Sequence, residues 1–154
     1  MKSSISLNIK LMEIKDITFV IVTFHSEKII HDCLKSLPNE AKKIIIENSN
    51  NSDFKKLLEK EYNNLDCYLM NENLGYGKAN NIGINHSLTD YVFILNPDVK
   101  FEKNDLNNFL RIIKLEKFSI AAPTENDDFI RSKNKINDII EVKFVKGFAM
   151  LLNK

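Results

Sequence analysis

Residues 17–23 read Ile-Thr-Phe-Val-Ile-Val-Thr, a run of apolar and β-branched side chains with no polar face. A strand with one wet side alternates. One without alternation must be covered on both sides, as strands are in parallel sheets with helices on each face. Shorter apolar runs follow at Lys43–Glu47, Asp66–Met70 and Tyr91–Leu95. Segments with helical spacing lie between them. Ile29, Ile30, Cys33, Leu34 and Leu37 form one apolar face, with Ser26 ahead as a cap and Pro38 behind as a stop. Phe54, Leu57, Leu58 and Tyr62 form another, opened by Ser52 or Asp53. A third helix is expected from about Gly77 to Ser87. A fourth carries Leu106, Phe109, Leu110 and Ile113 behind Asn104 or Asp105. Ser119–Ala122 reads as a short strand stopped by Pro123, residues 124–138 as a polar loop, and Glu141–Leu152 as a last strand or two around Gly147. Strands alternating with helices predict right-handed crossovers and an α/β fold whose mostly parallel sheet is flanked by helices.

The 154 residues suffice for one domain with a core. A net charge of +1 gives no global field for nucleic acid or an anionic membrane. No apolar run reaches the length of a transmembrane helix. The first 16 residues, MKSSISLNIKLMEIKD, are too polar for a signal peptide. Residues 1–16 are therefore set apart as a leader, frayed or disordered, and 17–154 as a single domain. Cys33 and Cys67 fall in a helix and a strand, as buried apolar residues do, which points to a cytoplasmic location. Asn50-Asn51-Ser52 and Asn85-His86-Ser87 match the glycosylation triplet by chance on that reading.

In a parallel sheet the strand ends share one edge, where ligands bind. That edge is expected to gather Thr23-Phe24-His25, Glu47-Asn48-Ser49, the loop from Asn71 to Gly77, and Asn96-Pro97-Asp98. Pro97 cannot donate to a ladder, so Asp98 stands just past its strand. It is either a contact for a divalent cation holding phosphate oxygens or part of a capped turn. Glu47 either accepts from a ribose hydroxyl or base N–H, or belongs to a turn leading to Asp53. Gly75 and Gly77 permit positive φ before a helix start, and Lys78 adds a charge for phosphate. A plain turn is the alternative, because neither glycine-rich nucleotide fingerprint is present. His25 and His31 lack metal-ligand spacing, with His31 expected on a helix surface. Tyr76 either stacks near a ligand or packs on the sheet.

Together these segments resemble the N-terminal half of the family-2 inverting glycosyltransferases, of the bacterial rhamnosyltransferase-like kind. The resemblance runs through ITFVIVTFHSEKIIHDCLKSLP, IIIENSN, NENLGYGKANNIGI and YVFILNPDV, and returns in VKGFAMLLNK. It implies the nucleotide-diphospho-sugar transferase (GT-A, Rossmann-like) fold, cut short at the C-terminus. It implies that Thr23 and Phe24 line the base and ribose pocket. Glu47, beside Asn48, stands where an aspartate is common. Asn73, Gly75, Lys78 and Asn81 contact the nucleotide, with Asn80-Asn81 in place of a frequent Arg-Asn pair. The family's Asp-any-Asp metal motif reads Asn96-Pro97-Asp98 here. Asp98 would hold Mg2+ or Mn2+, Asn96 would offer a neutral oxygen, and the donor diphosphate would complete the shell. Gly147-Phe148-Ala149-Met150 resembles the segment near donor sugar and acceptor.

The family's general base lies beyond that segment, and the chain ends at Lys154, so no base is assigned. Asp127-Asp128 precedes the last strand and reads as a solvated loop. The implied activity is metal-dependent, inverting transfer of a sugar from a UDP- or dTDP-sugar to a glycan or lipid-linked acceptor. It would serve cell-envelope polysaccharide synthesis in the cytoplasm or peripherally at the inner face of the membrane. The alternatives are a noncatalytic nucleotide-sugar-binding module or remnant, and a flavodoxin- or receiver-like domain with Glu47 and Asp98 at opposite sheet ends. Phe144, Phe148 and Met150, left uncovered by a shortened fold, predict weak self-association.

Overall fold

A computed structural model describes residues 12–102, 104–113, 118–123, 135–136, 139–140 and 142–154. The central run becomes β1 (Ile17–Thr23), with all seven residues buried. After α1 (Ile30–Ser36) come β2 (Lys42–Glu47), α2 (Ser52–Glu61), β3 (Leu65–Leu69), α3 (Tyr76–His86), β4 (Tyr91–Leu95) and α4 (Asp105–Ile113). Four short strands follow: β5 (Ile120–Ala121), β6 (Lys135–Ile136), β7 (Ile139–Ile140) and β8 (Ala149–Asn153). The main sheet has six strands in the order β3-β2-β1-β4-β8-β5. β1 pairs parallel with β2 and β4, and β2 parallel with β3. β8 runs antiparallel to both β4 and β5, so it alone is reversed.

Successive residues of the central strands face opposite layers. Phe19, Ile21, Ile45, Phe93 and Leu95 pack with Ile30, Cys33 and Leu34 of α1, Phe54 and Leu58 of α2, and Leu106 and Leu110 of α4. Val20, Val22, Ile44, Ile46, Val92 and Ile94 pack with Ala79 of α3. The rings of Phe19 and Phe93 stack at 5.6 Å. Each such buried side chain contributes about 1.5–3 kcal/mol. On the second layer α3 lies very close to the sheet. A Cβ on Gly83 would stand 2.4 Å from Val20 Cγ1, so only glycine allows this approach.

Local starts differ from expectation in several places. Ser26 does not cap α1 with its side chain. Its hydroxyl bonds the backbone of Phe24, while its carbonyl accepts from Ile29 and Ile30 in a turn that leaves Ile29 exposed. α2 is capped by Asn51, whose Oδ1 accepts from Phe54 N at 3.0 Å. Asparagine caps as well as serine. Leu57 lies outside the buried stripe of Phe54 and Leu58. Gly77 has no positive φ; Gly75 alone among the glycines does, at 75°. The expected loop at 124–138 already contains β6, which pairs antiparallel with β7. The rest of that loop, with Asp127-Asp128, lies outside the described residues, as do residues 1–11 of the leader. Of the leader's remainder, Ile14–Asp16 form a 3-10 turn, and Met12 and Ile14 pack on the core.

Both cysteines are free and buried, and burial pushes each thiol up to about 12. His31 is half-buried, its Nδ1 2.7 Å from the Tyr62 hydroxyl. Lys43 is buried with its ammonium facing the carbonyls of Ala41 at 2.9 Å, Asn39 at 3.4 Å and Asn63 at 3.4 Å. Three donors meet three acceptors, which is how a buried charge is tolerated. No described helix is long and apolar enough to cross a membrane.

Candidate functional site

Parallel register sets the strand ends side by side. Thr23 is level with Glu47, Glu47 with Leu69, and Ile21 with Leu95. The turn carrying Asp98 leaves β4 at this same edge. Glu47 and Asp98 therefore share one end of the sheet.

Thr23 and Glu47 are fully buried. The Thr23 hydroxyl donates to Glu47 Oε2 at 2.6 Å. Glu47 Oε1 accepts from Ser49 N at 2.8 Å, from the Ser49 hydroxyl, and from Asn51 N at 3.3 Å. The carboxylate thus ties β1, β2 and the start of α2 into one knot, and both of its oxygens are engaged by the protein. Asn48, also buried, reaches the other way. Its Nδ2 donates to Asn73 Oδ1 at 2.8 Å, and its Oδ1 accepts from Leu74 N at 2.9 Å. Asn73 Oδ1 accepts again from Gly75 N at 2.9 Å. The Asn-Leu-Gly loop is held in shape by amides before α3 begins.

The rim is different. Phe24, His25, Asn73, Gly75, Lys78 and Asn81 are exposed. His25 stands in the left-handed region at φ 51°, its ring 4.4 Å from that of Phe24. Such strained residues cluster at ligand sites. Asn96 is half-buried; its backbone N–H donates to Phe148 O at 2.8 Å and its carbonyl accepts from Val99 N at 3.1 Å. Asp98 is exposed, and its carboxylate has no hydrogen bond or ion pair among the described residues. Its charge is felt nearby. Burial raises the Cys33 thiol and the Tyr76 phenol above their ordinary values, and Asp98 pushes both further.

No cluster of three or more acidic, histidine or cysteine side chains occurs among the described residues. The donor set at the β4 turn is one free carboxylate and one amide. That set is too small to cage a cation. It fits Mg2+ or Mn2+ when ligand phosphates supply the remaining oxygens, the common mode for Mg2+.

Two groups at this edge were not singled out as site residues from the sequence. Asn80 is buried; its Nδ2 donates to Tyr76 O at 3.0 Å and its Oδ1 has no partner among the described residues. Tyr76 neither packs flat on the sheet nor stands free: its hydroxyl donates to Gly147 O at 2.7 Å. The i, i+4 pairs Tyr76/Asn80 and Ala79/Gly83 are the signal that could have found them, since they put Asn80 on the face that α3 turns inward.

The family model for glycosyl transferase family 2 matches residues 18–148, and the chain belongs to that family. Over 114 residues it is 27% identical to the low-salt glycan biosynthesis hexosyltransferase Agl10 of Haloferax volcanii, an alignment covering 70% of this chain and 36% of that protein. Among solved structures, S. aureus TarS 1–349 superposes with a TM-score of 0.66 at 16% identity, covering 89% of this chain and 47% of that one. The same TarS fragment in complex with UDP-GlcNAc gives a TM-score of 0.64 at 15% identity, over 87% and 44% of the two chains. The mannosyltransferase PcManGT from Pyrobaculum calidifontis, in complex with GDP-Man and Mn2+, gives 0.62 at 13% identity over 90% and 44%. The fold is the mixed α/β GT-A fold. The chain spans about a third of the length of the curated relative and under half of these solved chains.

Proposed function

We propose that this chain, as one domain over residues 17–154, forms the donor-binding part of an inverting sugar transferase. The observation that carries this reading is the free carboxylate of Asp98 on the same edge as an amide-braced loop at the start of a helix. The nucleotide lies along that edge. Thr23, Glu47 and Asn48 brace its floor from inside. Phe24, Asn73, Gly75, Lys78 and Asn81 meet the base, ribose and phosphates at the rim. The helix start and Lys78 favour negative charge there.

Asp98, with the side-chain oxygen of Asn96, would hold a divalent cation whose remaining ligands are donor phosphate oxygens. Bound there, Mg2+ or Mn2+ supplies neutralising charge to the leaving diphosphate. Asp98 orients that charge, and Lys78 adds a second positive contact. The base that takes the acceptor proton is assigned to none of these residues. Support comes from family membership and from the structural neighbours solved in complex with UDP-GlcNAc and with GDP-Man and Mn2+. The donor proposed here is a UDP- or dTDP-sugar, the acceptor a glycan or lipid-linked glycan, and the site of action the cytoplasm or the inner face of the membrane.

Calorimetric titration with UDP and dTDP, with and without Mn2+, tests the reading. Binding that strengthens with Mn2+ in the wild type and loses that gain in Asp98→Ala is the expected result. No binding of either nucleotide under any metal condition would sink it.

A further inference from the structure

Tyr76 joins two parts of the edge that the strands themselves leave separate. It is the first residue of α3, and its hydroxyl donates to Gly147 O, 71 positions along the chain, at 2.7 Å. The Gly147–Phe148 turn is held from the other side by Asn96, whose N–H donates to Phe148 O at 2.8 Å, next to the Leu95–Ala149 pair of the sheet. Nothing lies within 4 Å of where a Gly147 Cβ would be, while the neighbouring Phe148 packs on the core. Two hydrogen bonds reach the turn, one from the helix after the Asn-Leu-Gly loop and one from the turn that carries Asp98.

Tyr76 is itself braced by Asn80, whose Nδ2 bonds the Tyr76 carbonyl. The Asn80 amide also faces the phenol and favours its ionised form, while burial and the nearby Asp98 charge oppose ionisation. The balance raises the phenol, so its hydroxyl stays a donor at neutral pH. Tyr76, Asn80 and Gly147 thus meet in one place, and the Asp98 charge reaches the phenol.

We infer that Tyr76 is a positioning residue: its hydroxyl sets where the Gly147–Phe148 turn stands relative to the Asp98 carboxylate, and so fixes one wall of the donor crevice. The consequence for sugar transfer rests on the donor-site reading above. Displacing a wall by a fraction of the substrate's size misaligns the reacting groups without removing a contact to the nucleotide.

The test is Tyr76→Phe in the 154-residue chain, which keeps the ring and deletes the donor. Amide hydrogen exchange at Asn96, whose N–H donates to Phe148 O, is expected to accelerate about 2- to 12-fold, the weight of one neutral hydrogen bond. Exchange at Ile44–Ile46 in β2 should not change, which excludes general unfolding. UDP and dTDP affinity with Mn2+ should stay within about twofold of wild type, as for a residue that positions the wall without touching the nucleotide. Unchanged exchange at the Asn96 amide overturns the inference. So does a tenfold loss of nucleotide affinity with unchanged exchange, which makes Tyr76 a donor contact instead. If wild type binds neither nucleotide while Tyr76→Phe still loosens the turn, the clasp stands and the donor reading has failed.

Discussion

Glu47 ends β2 and Asp98 follows β4, the two strands that flank β1, so two carboxylates sit at equivalent places on one sheet edge. Glu47 is wholly buried, with a hydroxyl donor on Oε2 and hydroxyl and amide donors on Oε1. Asp98 is exposed and meets no donor among the described residues. The first is part of the framework: its charge is solvated by the protein, and removing it strands its donors. The second follows Pro97 in the Asn96–Val99 turn, with no hydrogen bond or ion pair to its carboxylate among the described residues. A carboxylate that the fold needs and one that the fold merely presents look alike as letters. They separate once the neighbouring hydroxyls and amides are located.

The comparison can be broken most sharply at Glu47. Glu47→Ala strips the acceptor from Thr23, Ser49 and Asn51, and a loss of about 3 kcal/mol is expected in urea unfolding. A loss below about 1 kcal/mol would mean the buried carboxylate is not structural. Thr23→Val keeps the shape but leaves Oε2 without its donor, for a loss of about 1–3 kcal/mol by the same measurement. Asp98→Asn should leave unfolding within about 0.5 kcal/mol of wild type, as an exposed substitution does. In the same variant, the Mn2+-dependent gain in nucleotide affinity should fall at least about tenfold, because a carboxylate ligand's charge is gone.

The smallest effect is Asp98's share in the titration of Cys33. The unfolded thiol ionises near its ordinary value of 9.0 and the folded one near 12, chiefly from burial and less from Asp98. The unfolded chain thus releases its proton first as pH rises, and stability present below pH 9 is lost between 9 and 12. Cys33→Ala should flatten that limb of the pH–stability curve, and Asp98→Asn should flatten it only slightly.

The strands were legible because their signal is continuous. Tyr91–Leu95 and Ile17–Thr23 are bounded in the structure where their apolar runs begin and end. Helix starts were less so, because several polar residues compete for each cap, and Asn51 rather than Ser52 or Asp53 makes the bond. The glycines misled for a related reason. Gly75 needs its positive φ, but the second demanding position is Gly83, set by a contact with Val20 that no local pattern reveals.

Several asparagines also have a structural use in turns. Asn50, Asn64 and Asn104 occupy left-handed turns at φ 58°, 54° and 75°, which asparagine tolerates better than most residues. For the site, the shared edge followed from topology and was read correctly. The inward turn of Glu47 was not legible, since it depends on the hydroxyl of Thr23 from the adjacent strand and on the loop after β2.

The reversed strand β8 bears on the order in which the molecule is assembled. β5 pairs with β8, and β8 covers the open side of β4. As the chain emerges from the ribosome, the Tyr-Val-Phe-Ile-Leu edge of β4 therefore stands bare until Ala149–Asn153 arrives and slots between two strands made earlier. Closure across so long a stretch of chain is slow, and an unguarded apolar edge pairs readily with strangers. Chains stalled before residue 149 should aggregate, and the insertion of Ala149–Asn153 is the step that covers this edge.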